Sequence, residues 1–137
     1  MEKLKKIEIG GKQMPIRCNI DCLIAIQDEF DDFRTVEAGI IGISQGEDGK
    51  PKYSTPKLKM IKFILPIFIR NGIKEAAKQG ETVPELELNE AIDNVDFNII
   101  EIALALYEEF QRCFYRKKST AQKNTKLTST EKKKAEK

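Results

Sequence analysis

The chain of 137 residues has no histidine and no tryptophan, and only three cysteines. Without histidine, the commonest general base and a frequent metal ligand are both missing. Cys18, Cys22 and Cys113 are too few for a zinc site, which takes about four ligands, so neither a metal nor a cofactor is expected. The odd cysteine count reads as reduced, buried thiols in a cytoplasm, although a Cys18–Cys22 disulfide is sterically conceivable. The most apolar run, 60–69, contains Lys62 and Pro66 and is shorter than the roughly 18–20 residues that span a bilayer. No secretory leader is read at MEKLKK, which opens straight into a strand-like segment. Gly10-Gly11 is no phosphate cradle, because it joins two strands and opens no helix. The acidic residues Asp28, Glu29, Asp31 and Asp32 lack the glycine and spacing of a calcium loop, and read as a solvated helix face. Nothing in the sequence points to an enzyme.

Charge is nearly balanced at +2, but it is unevenly spread. Residues 117–137 hold eight Lys and two Glu, a local +6, so residues 1–116 carry 2 − 6 = −4. With one large apolar residue, Leu127, the tail cannot bury enough to offset its chain entropy and is expected to be disordered. Residues 1–116 are expected to form a single α+β domain, mainly α, with a β-hairpin packed on a small bundle of helices.

The element that organises this domain is 55–79, TPKLKMIKFILPIFIRNGIKEAAKQ. Thr55 is a candidate cap and Pro56 suits a first helical turn. Leu58, Ile61, Leu65, Phe68, Ile69, Gly72, Ile73 and Ala76 make one stripe, whereas Met60, Phe63, Ile64 and Ile67 lie off it. Pro66 predicts a kink or short break. Ahead of this helix, 5–18 reads as a hairpin turning at Gly10-Gly11, with Ile7 opposite Met14 and Ile9 and Ile16 on the same face. The spacing predicts a helix over 20–33, capped by Asn19 or Asp21, with Leu23, Ile26, Phe30 and Phe33 as its stripe. Val36, Ile40, Ile41 and Ile43 either prolong that helix or form an extended piece, and 44–54 reads as an exposed, mobile loop. Gly80 is the expected helix stop. A short helix at 89–95 capped by Asn89 follows, then a long one at 97–116 capped by Asp96 or Asn94. That last helix carries two stripes: Ile99, Ile102, Ala103, Leu106, Phe110 and Cys113, and beside them Ile100, Leu104, Tyr107 and Phe114.

The opening KIEIGGKQMPIRCNIDCLIAIQDEF gives a strand, a glycine turn, a second strand and a helix ending in an acidic-aromatic segment. An apolar helix, a capped turn at LELNE and a second apolar helix complete the order. Over about residues 5–116 this pattern resembles the tail assembly chaperones of long-tailed bacteriophages and related prophage elements, from which the 44–54 insertion and Pro66 depart. The resemblance implies a protein of the bacterial host cytoplasm, absent from the finished virion. Its implied partners are the phage tape measure protein, which such chaperones keep soluble, and the tail tube protein, whose subunits they help recruit and whose polymerisation displaces them. Phe63, Ile67, Ile100, Leu104, Tyr107 and Phe114 are the candidate partner-binding residues, since a coat for a helical rod needs apolar surface beyond its own core. The plainer reading of each is core packing against the hairpin. A small structural tail or connector component, including one that self-associates, is the alternative. A nucleic-acid-binding regulator ranks lower, because Arg112, Arg116 and Lys117 lie only at the far end of the last helix.

Overall fold

The computed structural model describes residues 3–115, so the tail at 117–137 and the disorder expected of it lie outside the described residues. The fold is α+β and mainly helical, with an N-terminal antiparallel hairpin laid on the helices. Strands β1 (Lys5–Ile9) and β2 (Lys12–Ile16) pair with Ile7 opposite Met14. Gly10 and Gly11 take φ of 61° and 73°, the two positive values that a two-residue hairpin turn requires. Ile7, Ile9, Met14 and Ile16 are buried on one face. This register turns the backbone of Pro15 outward, so its missing N–H takes no bond from the ladder.

Helix α1 (Ile20–Phe30) stops earlier than the spacing predicts, and α2 (Phe33–Ile41) starts afresh. Asp31 turns the chain at φ 72°, and Asp32 caps α2 by accepting from the Arg34 N–H at 3.0 Å. The acidic residues are therefore not one helix face. Their position at the end of α1 opposes its dipole, but Asp32 stands at the start of α2, where negative charge is favoured.

The loop expected at 44–54 is largely a second hairpin, β3 (Ile43–Gln45) with β4 (Pro51–Tyr53). Turn chemistry closes it: the Gly46 N–H donates to the Lys50 carbonyl, and Asp48 accepts from the Lys50 N–H. The next segment is tied to α2, with the Lys57 N–H donating to the Gly39 carbonyl at 2.8 Å. That holds Thr55 and Pro56 outside the helix, so α3 (Leu58–Lys78) begins after Lys57 and has no side-chain cap. It runs unbroken through Pro66.

At its far end α3 closes as expected at Gly80, φ 77°. The Glu81 N–H reaches the Ala76 carbonyl and the Gly80 N–H the Ala77 carbonyl, the paired bonds of a Schellman stop. Helix α4 (Leu88–Asp93) ends by the same bonding pattern, but Val95, not glycine, takes the left-handed position at φ 53°. The expected Asn89 cap falls inside α4. Helix α5 (Ile99–Phe114) is capped by Asn98, which accepts from the Glu101 N–H at 3.1 Å. Asp96 is engaged elsewhere. Its carbonyl accepts the Gly10 N–H at 2.8 Å and ties the hairpin turn to the α4–α5 link.

One apolar cluster joins all of this, from Ile7 on β1 to Phe110 on α5, with Phe68, Leu65 and Ile69 of α3 fully buried within it. Strand β2 rides on α3 backbone to backbone. The Arg17 N–H donates to the Phe68 carbonyl at 3.0 Å, and a Cβ on Gly72 would lie 2.3 Å from the Pro15 carbonyl oxygen. Among the described residues, no helix is long and apolar enough to cross a membrane.

Candidate partner-binding surface

Helix α5 is amphipathic, and its inner face decides which way it turns. Ile102, Ala103, Leu106 and Phe110 are buried. From α2, Phe33 packs edge-on against Phe110 and Phe114, with ring centroids 5.5 and 4.7 Å apart. Glu37 of α2 accepts from Gln111 at 3.1 Å and from the Tyr115 hydroxyl at 2.8 Å. The carboxylate holds the phenolic proton and raises the Tyr115 pKa.

Glu109 is 3 % exposed in the middle of this inner face. Arg112 neutralises it at 2.7 Å. Together the two bracket one residue: Glu109 accepts the Cys18 N–H at 2.7 Å, while Arg112 donates to the Cys18 carbonyl at 2.9 Å. A third side chain holds the same junction, with Asn71 of α3 donating to the Arg17 carbonyl at 3.1 Å and accepting from Asn19 at 3.0 Å. The β2–α1 junction is thus clamped by α3 and α5, and α5 cannot roll without breaking charge-assisted bonds.

With the inner face fixed, the outer face follows. Ile100 is 65 % exposed and Leu104 is 52 % exposed, one helical turn apart. Tyr107 continues this row but is half-buried and accepts from Gln111 at 2.8 Å. Phe114 is partly exposed, stacked with Phe110 and edge-on to Tyr115. Phe63 and Ile67 belong to another setting: both are half-buried against the core, and Phe63 meets Phe30 of α1 edge-on at 5.4 Å. The six candidates therefore do not form one continuous surface. Ile100 and Leu104 are its open part.

Leu58 and Val95, both about half exposed, are surface positions that periodicity does not reveal. They rim a groove of about 200 Å³ that Ile61, Ile92, Phe97 and Ile99 complete, between the start of α3, α4 and the first turn of α5. Spacing alone assigns Leu58 to the buried stripe, and only the late start of α3 puts it at a helix end. The Glu109–Arg112 bracket is likewise absent from the sequence-based expectations. Its signal was an acidic residue standing between Leu106 and Phe110 in an apolar stripe.

Two of the three cysteines, Cys18 and Cys22, stand at the clamped junction. The Cys18 thiol donates to the Asn19 carbonyl and the Cys22 thiol to the Arg17 carbonyl, each at 3.8 Å, while Cys113 is half-buried near the end of α5. The neighbouring Cys22 thiol and burial raise the Cys18 pKa, and the neighbouring Cys18 lowers that of Cys22. Among the described residues, no group of three or more His, Cys, Asp or Glu is arranged to hold a metal ion. No family model, curated protein or solved structure matches the chain.

Proposed function

We propose that the chain is a binding protein that covers an amphipathic helical partner, acting as a phage tail assembly chaperone does on its tape measure protein in the bacterial cytoplasm. The observation that supports this reading is the outer face of α5, where Ile100 and Leu104 stand in solvent on a helix whose opposite face is fully buried. Two large apolar side chains one turn apart match the i, i+4 anchors of helix-on-helix recognition. The apolar groove rimmed by Leu58 and Val95 lies at the first turn of the same helix and lengthens the surface available to a rod. Burying both side chains contributes about 3 kcal/mol per bound copy, enough for a coat assembled from many weak contacts.

Co-expression with a long helical tape measure protein tests the reading. The expected result is recovery of that partner in the soluble fraction with several copies of this chain, and its loss when Ile100→Asp and Leu104→Asp are combined. An insoluble partner, together with a defined ring formed by this chain alone, would replace the reading with that of a structural tail component.

A further inference from the structure

We infer that the helical partner is acidic along one flank, and that this flank lies on a basic stripe formed by the outer face of α3. This rests on the helix-covering reading and adds to it a second face and a partner chemistry. Lys59, Lys62, Arg70, Lys74 and Lys78 are all exposed. They follow one another at three, eight, four and four residues, intervals that keep them on one side of the helix. The stripe runs about 28 Å along the axis, and its last three cations rise about 6 Å per step. Glu75, half-buried, is the one acidic residue in α3. Ile73 is 38 % exposed and stands between Arg70 and Lys74 as an apolar foothold.

The chain does not answer this charge itself. Among the described residues, ion pairs join Lys5 to Glu108, Lys6 to Glu81 and Arg112 to Glu109, and none reaches α3. Yet residues 1–116 carry −4, so with the five cations set aside the remainder carries −4 − 5 = −9. A surface that serves solubility alone intersperses the two signs, whereas here the positive charge is gathered on one helix. A ladder of carboxylates on a facing helix meets it in step, since residues i and i+4 also rise about 6 Å. Lys62 lines the groove rimmed by Leu58 and Val95 as well, so one amphipathic helix can seat an apolar side chain there and set its acidic flank on the stripe. A nucleic acid fits less well. Phe63 is half-buried against Phe30 and Phe68 is buried, which leaves no ring of α3 free to stack a base. A duplex would also bring phosphates against the surrounding negative charge. Each exposed pair contributes little, but five in register select one kind of helix over another.

Binding of the full-length chain to two synthetic amphipathic helices, read by fluorescence anisotropy, tests this. The two share one leucine stripe and differ only in their flanks, glutamate in one and lysine in the other. The acidic helix should bind about tenfold more tightly, with the preference fading as salt rises. Lys59→Gln, Lys62→Gln, Arg70→Gln, Lys74→Gln and Lys78→Gln together should abolish that preference, whereas glutamine at five of the lysines in 117–137 should keep most of it. Arg70→Glu combined with Lys74→Glu should turn the preference towards the lysine helix, a gain that an unfolded variant would not show. Equal binding of both helices, or a preference that survives in the stripe variant and vanishes in the tail variant, would overturn the inference and leave the covering role intact. Binding of neither helix would remove both. A DNA duplex that binds more tightly than the acidic helix, and is lost with the same five substitutions, would overturn the inference by reassigning the stripe to phosphate.

Discussion

Helices α3 and α5 both carry more apolar residues than one stripe can hold, and they dispose of the excess in opposite ways. Helix α3 lies between the hairpin, α1, α2 and α5, so its off-stripe residues are absorbed: Met60 and Ile64 are buried and Phe63 leans on Phe30. Helix α5 is covered on one side by α2, α3 and β1, and Ile100 and Leu104 are left in solvent. An excess of apolar residues therefore does not identify a docking face. The position of the helix in the stack does, because only a helix with an uncovered flank has apolar surface to spare.

The sharpest way to break this comparison is Gly72→Ala. The added Cβ would meet the Pro15 carbonyl oxygen at 2.3 Å, a backbone atom with nowhere to go. The substitution should cost about 3 kcal/mol, the upper part of the overpacking range, read as a lowered urea midpoint. An unchanged midpoint would mean that β2 does not ride on α3. Glu109→Ala comes next at roughly 2–3 kcal/mol, since it strands the Cys18 N–H and removes the carboxylate that neutralises a partly buried Arg112. Thermal unfolding reads it, and a neutral outcome would remove the clamp that sets the orientation of α5. Phe63→Asp should cost about 2 kcal/mol by placing a carboxylate against Phe30. If Phe63→Asp instead leaves stability intact and abolishes partner binding, α3 too has a free flank.

Val95→Gly should move stability the other way, by about 1 kcal/mol, because a β-branched residue at φ 53° sits in the left-handed region that glycine enters freely. A loss in the same melt would show that the Val95 side chain at the groove is worth more than the strain it carries. Leu104→Asp gives the smallest change in stability, under about 0.5 kcal/mol, with full loss of capture in co-expression. Its failure to fold would turn the exposed face into a core face and collapse the contrast between the two helices.

The first hairpin was legible because two independent constraints agreed. A two-residue glycine turn sets the register, and the alternation of Ile7, Ile9, Met14 and Ile16 picks the same one. The break between α1 and α2 was legible in principle. Acidic residues crowded at the end of one helix are misplaced only until Asp32 is taken as the cap of the next, with the Thr35 hydroxyl beside it. The caps of α4 and α5 differ from those the sequence suggests, since several Asn and Asp side chains compete within 89–98 and long-range ties choose among them, as the Gly10–Asp96 bond does. Of the candidate surface, both stripes of α5 were visible in the periodicity. The stripe named as spare is exposed at Ile100 and Leu104, but the partial cover of Tyr107 and Phe114 was not legible, because it depends on Phe33 of α2 and on Gln111, held by Glu37.

The Glu109–Arg112 bracket bears on how the chain reaches its native state. The bonds that fasten Cys18 join residues 91 and 94 positions apart, so the two ends of the fold are sewn together across most of the described chain. A nascent chain can lay its hairpin, α1 and α2 on α3, yet the Cys18 junction stays open until α5 has left the ribosome. Closing so long a loop is an entropic cost met before the bonds reward it, which makes docking of α5 the slow step. A product truncated before Glu109 keeps an open core and an unsatisfied junction, and belongs to proteases rather than to the assembled population.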